Sequence, residues 1–291
     1  MRFEFMRQNQ EEFSVEKMAE LLEVSRSGYY RFLRREQSER EKENERLTVK
    51  IKEIHKMSRE TYGSPRVYAE LQNQGECCSR KRVAKLMRKQ NIRAKMKKFK
   101  KRTTAHNKNA KISPNYLNQK FLTNSPNTVW ISDITYIPTQ EGWLYLAIVM
   151  DLFSRKIVGM NMGDRLQTEL VTKALNQAVK HRDGAEGLIH HSDKGCQYTS
   201  KEFKELTDQY GIKLSMSGVG NCYDNAVAES FFHTLKTEHT NFCSYRIREE
   251  AKTSIFEYIE TFYNRKRLHS TLGYMSPEDF EKKQGKKHAE V

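Results

Sequence analysis

The run Val129-Trp-Ile-Ser-Asp-Ile-Thr-Tyr136 reads as a β-strand that carries one carboxylate, Asp133, among apolar and hydroxyl-bearing residues. β-Branched and aromatic side chains suit a pleated, half-buried surface, and a charge placed there is costly unless something pairs with it. Two further acids stand in comparable settings. Asp193 closes the short run Leu188-Ile-His-His-Ser-Asp193, and Glu229 lies in a helix-like stretch, Asn225-Ala-Val-Ala-Glu-Ser-Phe-Phe-His-Thr-Leu-Lys236. Carboxylates from separate segments that converge on one spot can hold two divalent cations about 4 Å apart, which clamp the attacking and leaving oxygens of an in-line phosphoryl displacement. Spacing alone is weak evidence, because 8 Asp and 29 Glu in 291 residues give roughly 0.8 Asp-to-Glu pairs at any fixed separation by chance. Context carries the reading: two acids at strand positions and one on an amphipathic helix. The competing reading is three solvated surface acids.

Outward from that strand the pattern is strand-first. Strands are predicted over 129–137, 143–151 and 156–162, with a turn at Gln140-Glu-Gly142, then a helix over 167–181 and a strand over 187–192. A helix over 199–210, opened by a capping box at Thr199-Ser-Lys-Glu202, a strand over 212–216 and helices over 224–239 and 247–265 complete the series. Three strands in hairpin order followed by alternation predict a mixed sheet flanked by helices, the order of the ribonuclease-H-like fold. On that topology Asp133 and Asp193 sit on neighbouring strands and share one metal, while Glu229 completes the shell of a second. Hard oxygen ligands favour Mg²⁺, two ions, with Mn²⁺ as a substitute. Glu229, His233 and Lys236 fall on one helical face that Asn225 joins, so Lys236 and Asn225 are expected against DNA, with Phe231 and Leu235 packed on the sheet. His190 and His191 are either hydrogen-bonded strand-end histidines or groups near the scissile phosphate. Asp151 reads as a structural acid, and Trp130 and Trp143 as core.

The formal charge of +15 is unevenly placed. Residues 1–111 hold 30 Lys and Arg against 15 acids, whereas residues 112–291 hold 22 of each, so the whole excess lies in the first third. Such a stretch suits a polyanion, whose condensed counterions are released when phosphates are neutralised. Five scattered cysteines (Cys77, Cys78, Cys196, Cys222, Cys243) without a C-x-x-C spacing fit a reducing compartment. No run of eighteen apolar residues and no signal-like N-terminus occurs, so the expectation is a soluble cytoplasmic protein without a membrane partner.

Two helix-turn-helix patterns occupy the basic third. In residues 14–36, Ser14 opens a helix with Met18, Leu21 and Leu22 on one face, and a second helix runs from Gly28 to Arg35. Ser25, Arg26, Ser27 and Arg31 then face DNA while Tyr30 and Leu33 pack inward. A charged connector over 38–48 reads as a solvated helix face. A second unit follows with helices over 47–57, 65–74 and 79–91, the last presenting Arg80, Lys81, Arg82, Lys85 and Arg88 around Val83, Leu86 and Met87. The basic run Arg93 to Arg102 continues it and suits phosphate tracking. Residues 103–126, polar and Asn-rich, form the expected linker. The domain reading is therefore 1–45, 46–102, linker 103–126, catalytic core 127–285 and tail 286–291.

The runs His191-Ser-Asp-Lys-Gly-Cys-Gln-Tyr-Thr-Ser200 and Gly220-Asn-Cys-Tyr-Asp-Asn-Ala-Val-Ala-Glu-Ser-Phe-Phe-His-Thr-Leu-Lys236 closely resemble the catalytic motifs of bacterial transposases of the insertion-sequence-three family, downstream-frame product. Tyr62-Gly-Ser-Pro-Arg-Val-Tyr-Ala-Glu-Leu71 resembles that family's helix-turn-helix segment, and Tyr263-Asn-Arg-Lys-Arg-Leu-His-Ser-Thr-Leu-Gly-Tyr-Met-Ser-Pro277 its C-terminal signature. The resemblance implies an α/β, ribonuclease-H-like integrase catalytic core, a mixed five-stranded sheet with flanking helices, preceded by all-α helix-turn-helix domains. It implies a DDE triad at Asp133, Asp193 and Glu229 with Lys236 beside it, and Mg²⁺-dependent nicking and strand transfer. It also implies double-stranded DNA as partner, a homo-dimer or higher assembly on paired ends, and an upstream-frame helix-turn-helix product. Ser217-Gly-Val-Gly220 departs from the family, which carries a basic residue after the serine. Two rival readings stay open: a DNA-binding regulator derived from the same family, and a hydrolytic nuclease of the same fold.

Overall fold

The computed structural model describes residues 2–34, 36–96, 113–114, 123–217 and 226–289. The Arg93 to Arg102 run from residue 97 onward, most of the expected linker, and the Gly218-Val219 departure lie outside the described residues.

Helices α1 (Arg2–Gln8), α2 (Val15–Leu21) and α3 (Arg26–Leu33) form a small unit. Ser14 and Ser25 cap α2 and α3 through their side-chain oxygens, which satisfies first-turn amides that would otherwise lack partners. The inner faces differ from expectation. Tyr29 rather than Tyr30 is buried, beside Met6, Met18 and Ala19, while Leu21, Tyr30 and Leu33 are exposed. The reason is α1, which the sequence pattern did not reveal. Its Phe3 packs on Tyr29 and Phe32, and so selects the inward face of α3.

The connector and the next expected helix are one helix, α4 (Glu39–Met57), so the expected boundary at 45/46 falls inside it. Ser38 and Glu41 form a reciprocal capping box at its start. Leu47, Ile51 and Ile54 make its inner stripe against α5 (Ser64–Asn73) and α6 (Arg80–Lys89). Pairing helps hold the unit: burial alone would raise the Glu76 pKa, but hydrogen bonds from Arg46 and Lys50 outweigh it and hold the carboxyl down to about 2.

Strands β1 (Val129–Thr139), β2 (Gly142–Asp151) and β3 (Ile157–Gly163) form an antiparallel meander; β4 (Ile189–Ser192) and β5 (Lys213–Met216) are parallel additions. The sheet order is β3-β2-β1-β4-β5. Helices α7 (Thr168–His181) and α8 (Lys201–Gln209) cover one face, with Trp130, Val149, Leu175 and Phe203 between. On the other face lie α9 (Ala226–Glu238) and α10 (Arg248–Glu257), which continues as a π-helical turn over Tyr258–Tyr263, followed by α11 (Pro277–Ala289). Odd-numbered β1 residues Val129, Ile131 and Ile137 face that side, as strand alternation requires. No helix among the described residues is long and apolar enough to cross a membrane.

The second helical unit is docked on this face. Val67, Leu71, Val83 and Met87 share one core with Ile131, Phe231 and Tyr258. The Tyr62 hydroxyl donates to Lys266 O at 3.1 Å and accepts from Leu268 N at 2.7 Å.

Close packing on the opposite face gives a stability prediction. A Cβ at Gly159 would lie 2.2 Å from Ala174 O and 2.9 Å from Ala178 N, contacts with helix backbone that cannot swing aside. Gly159→Ala is expected to cost about 2 kcal/mol or more by overpacking, a fall of roughly 5 °C in thermal midpoint. An unchanged midpoint in a melting scan would refute this account of β3 against α7.

Candidate active site

Strand register decides the relation between the first two carboxylates. β1 and β4 run parallel with Ile131 opposite His191. Two residues on from that pair stand Asp133, within β1, and Asp193, one residue past the end of β4, so the two carboxylates extend from adjacent strands about 4.8 Å apart. Each carboxylate is fixed by backbone. Asp133 Oδ1 accepts from Ile134 N at 2.8 Å, and Asp193 Oδ1 accepts from Gly195 N at 2.9 Å. A Cβ at Gly195 would come to 3.0 Å from Asp193 Oδ1, so this glycine gives the carboxylate its room.

Glu229 lies in the first turn of α9, the helix packed across β1, and its side chain is exposed. It reaches Asp133 through charge. The Asp133 pKa is raised well above the ordinary carboxylate value, first by burial and then by Asp193, with Glu229 adding to the effect; the Ile134 amide and Lys236 oppose it. Among the described residues, no three carboxylate, imidazole or thiol groups form a ready-made metal-ligand cluster. The expected gathering is therefore unequal: register brings two acids together, and the third stands on a helix at the rim. The donor set nonetheless suits a hard divalent cation, since the ligands are carboxylate oxygens and the mutual repulsion that raises the Asp133 pKa is what a bound cation would relieve.

Around these acids the remaining side chains sort by burial. Lys236 Nζ stands 5.0 Å from the Tyr136 ring centroid; burial lowers its pKa and Asp133 resists that shift. Tyr198, in the motif around Asp193 but given no role from sequence, is buried, and burial followed by the charges of Asp133 and Asp193 keeps its phenol protonated. His190 Nε2 and Ser132 Oγ are 2.7 Å apart, and burial brings the imidazole pKa down to about 3, hence a neutral ring. His191 is corrected as a DNA-contacting residue: it is wholly buried between β1 and β5, with Nδ1 2.9 Å from Ser215 Oγ. Its register opposite Ile131 sets it on the face of the sheet that α9 covers. Asp151 is structural as read, accepting from Asn127 N and Phe153 N at 2.8 and 2.9 Å.

Trp130 is core, but Trp143 is exposed, because it stands next to the turn at the hairpin end of β2. Phe231 and Leu235 are buried as expected, whereas Asn225 lies outside the described residues. On α6, Arg80, Lys81 and Lys85 project into solvent. Arg82 does not: its Nε donates to Asn44 and its Nη2 to Glu43, both at 2.8 Å, so α4 holds it. Arg31 is exposed, and Arg26 pairs with Glu16 at 2.6 Å on the surface.

Residues 123–222 match the model of an integrase core domain, 229–284 match a second integrase core domain model, and 42–100 match an HTH-like domain. The chain is 46% identical over 266 residues to the 31 kDa protein of insertion element IS600 from Shigella sonnei, covering 91% of this chain and 98% of that one. It is 45% identical over 251 residues to the transposase of insertion sequence IS904 from Lactococcus lactis, covering 86% and 99%. To the transposase InsF of IS3A from Escherichia coli it is 38% identical over 285 residues, covering 97% and 99%.

Proposed function

The chain belongs to the IS3 family of transposases with an integrase core, and from that premise we propose how its residues divide the work of a DDE transposase. The enzyme cuts DNA at the ends of an insertion element and joins the freed strand to new DNA. In this reading Asp133, Asp193 and Glu229 hold two Mg²⁺ ions, for which Mn²⁺ substitutes. The bound ions supply Lewis-acid stabilisation of charge on the transferring phosphoryl group and a more acidic nucleophile. The protein's part is positioning. Asp133 and Asp193 fix the reacting centre from adjacent strands, and the Lys236 ammonium takes a neighbouring phosphate oxygen. Arg80, Lys81 and Lys85 track the duplex backbone from α6, and Arg26 and Arg31 do so from α3. In-line displacement at phosphorus needs little covalent chemistry from side chains, so this allocation is sufficient.

What supports the reading is the parallel pairing of β1 with β4 up to Ile131 and His191, two residues before the two aspartates, together with the charge that Asp193 and Glu229 exert on Asp133. Action as a homo-dimer on paired ends, with an upstream-frame product, in the cytoplasm, completes the proposal. The test is an assay on labelled element-end duplexes with Mg²⁺, with a target plasmid present. Nicked ends and joined products are expected. Binding without cleavage at every protein concentration would make the chain a regulator instead. Cleavage of RNA–DNA hybrids without joined products would make it a hydrolytic nuclease.

A further inference from the structure

The hairpin joining β1 to β2 carries two aromatic rings that the core does not use. Tyr136 and Trp143 stand edge to face, with centroids 4.9 Å apart and planes at 79°. They are nevertheless 36% and 43% exposed. Burying such rings is favourable, so leaving both in water forgoes stabilisation that the fold could have used.

The hairpin is held in place by the C-terminal part of the chain. Arg248 Nε donates to Trp143 O at 3.0 Å, Arg248 Nη2 donates to Glu141 O at 2.7 Å, and Gln140 N donates to Tyr245 O at 3.0 Å. The rings are therefore presented on a fixed support and do not have to be ordered when something binds. Tyr136 lies three residues beyond Asp133 on β1, and Trp143 pairs with Pro138 two residues further on. The Lys236 ammonium lies 5.0 Å from the Tyr136 ring centroid, so the helix that carries Glu229 reaches this hairpin.

We propose that Trp143, backed by Tyr136, is a stacking platform for an unpaired nucleobase of the bound DNA, with Lys236 on the adjoining backbone. Every base has a π-face, so stacking tolerates any sequence, and a cation beside the ring matches the phosphate that follows each base. The ammonium already lies over Tyr136, which leaves Trp143 as the open ring. A base inside a duplex has both faces covered by its neighbours. Occupancy of the platform therefore requires a frayed or single-stranded nucleotide, and the site selects DNA whose end has come apart. This inference rests on the transposase reading above and names the form of DNA that its site accepts.

The chain has two tryptophans, Trp130 and Trp143, and Trp130 is buried, so intrinsic fluorescence reports on the exposed ring. The full chain is titrated in EDTA with an element-end duplex bearing a short single-stranded tail, and separately with the blunt duplex. The tailed duplex is expected to quench the exposed indole, and Trp143→Phe to abolish that quenching. Trp143→Ala is expected to weaken binding of the tailed duplex about tenfold, to leave the blunt duplex nearly unaffected, and to be rescued largely by Phe. Absence of quenching, or an equal loss of affinity for both duplexes, overturns the platform. A spectral change that follows protein concentration without DNA also overturns it, by assigning the ring to contact with a second copy. The catalytic assignment is judged separately: an inactive Asp133→Asn protein with an unquenched Trp143 rejects the platform and keeps that assignment.

Discussion

Asp133→Asn is expected to give a protein that still binds element-end duplex but neither nicks it nor joins it. The substitution keeps shape and removes charge at Asp133, a half-buried carboxylate, where the amide cannot replace a hard anionic oxygen ligand. Stabilisation of phosphoryl-transfer charge by a bound cation is worth several kcal/mol, which is a loss of about a thousandfold or more in the rate of cleavage. Folding should not suffer. In the metal-free protein burial and the neighbouring Asp193 and Glu229 both disfavour the Asp133 anion, so its removal is expected to leave the thermal midpoint unchanged or slightly higher. Single-turnover cleavage in Mg²⁺, filter binding and a melting scan on the same preparation separate these effects. Strand joining at the wild-type rate would sink the catalytic assignment, and a lowered midpoint would sink the electrostatic account of the site.

Glu238→Ala is expected to have the largest effect on stability. Glu238 closes α9, one helix shared with Glu229 and Lys236. Its carboxylate accepts from Arg267 Nε and Nη2 at 2.8 and 2.7 Å, from Arg66 Nη1 at 3.2 Å and from the Tyr258 hydroxyl at 3.2 Å. Arg66 belongs to the docked helical unit and Arg267 to the C-terminal signature, so one buried carboxylate ties three parts of the chain together. Removing it strands the Arg267 guanidinium, whose side chain is 4% exposed, and breaking such a pair from one side costs about 3–5 kcal/mol.

The pH dependence has a definite sign. Burial alone would raise the Glu238 pKa, but hydrogen bonds and charge from Arg267, with Arg66, outweigh it and bring the value below that of an ordinary glutamate. The unfolded chain then binds the proton more readily than the folded one. Stability from this group is therefore present above the unfolded pKa of about 4.5 and is lost as pH falls through the lower folded value. Urea unfolding at neutral pH and through the acid range is the check. The wild type should lose stability on acidification by more than Glu238→Ala does, and a variant within about 1 kcal/mol of wild type at neutral pH would contradict the buried-pair account.

Much of this molecule could be read from local spacing. Alternation and turn residues located each strand of the sheet within a few residues, and their order alone led to a mixed sheet with Asp133 in its first strand. The helical repeat put Glu229 and Lys236 on one face of α9 and sent Phe231 and Leu235 inward, as the buried core bears out. Reading burial from periodicity failed where a second surface chooses the face. Tyr29 is inside and Tyr30 outside because α1 packs there, and Trp143 is exposed because it stands at the hairpin end of β2.

Side-chain partners distant in the chain were equally hidden. Arg82 resembles any other cation of a recognition helix until Glu43 and Asn44, on a separate helix, are seen to hold it. His191 lies in a catalytic motif yet is buried, because its register opposite Ile131 sets it on the sheet face that α9 covers. By itself, then, the order of residues determined the elements, the sheet class and which acids to examine, because those signals lie within a few neighbouring positions. Only the tertiary structure decided that Asp133 stands beside Asp193, that Glu229 waits at the rim, and that the helical unit is clasped through Glu238. Each of these depends on register and on contact between segments far apart in the chain, and no local pattern of side chains encodes which surfaces will meet.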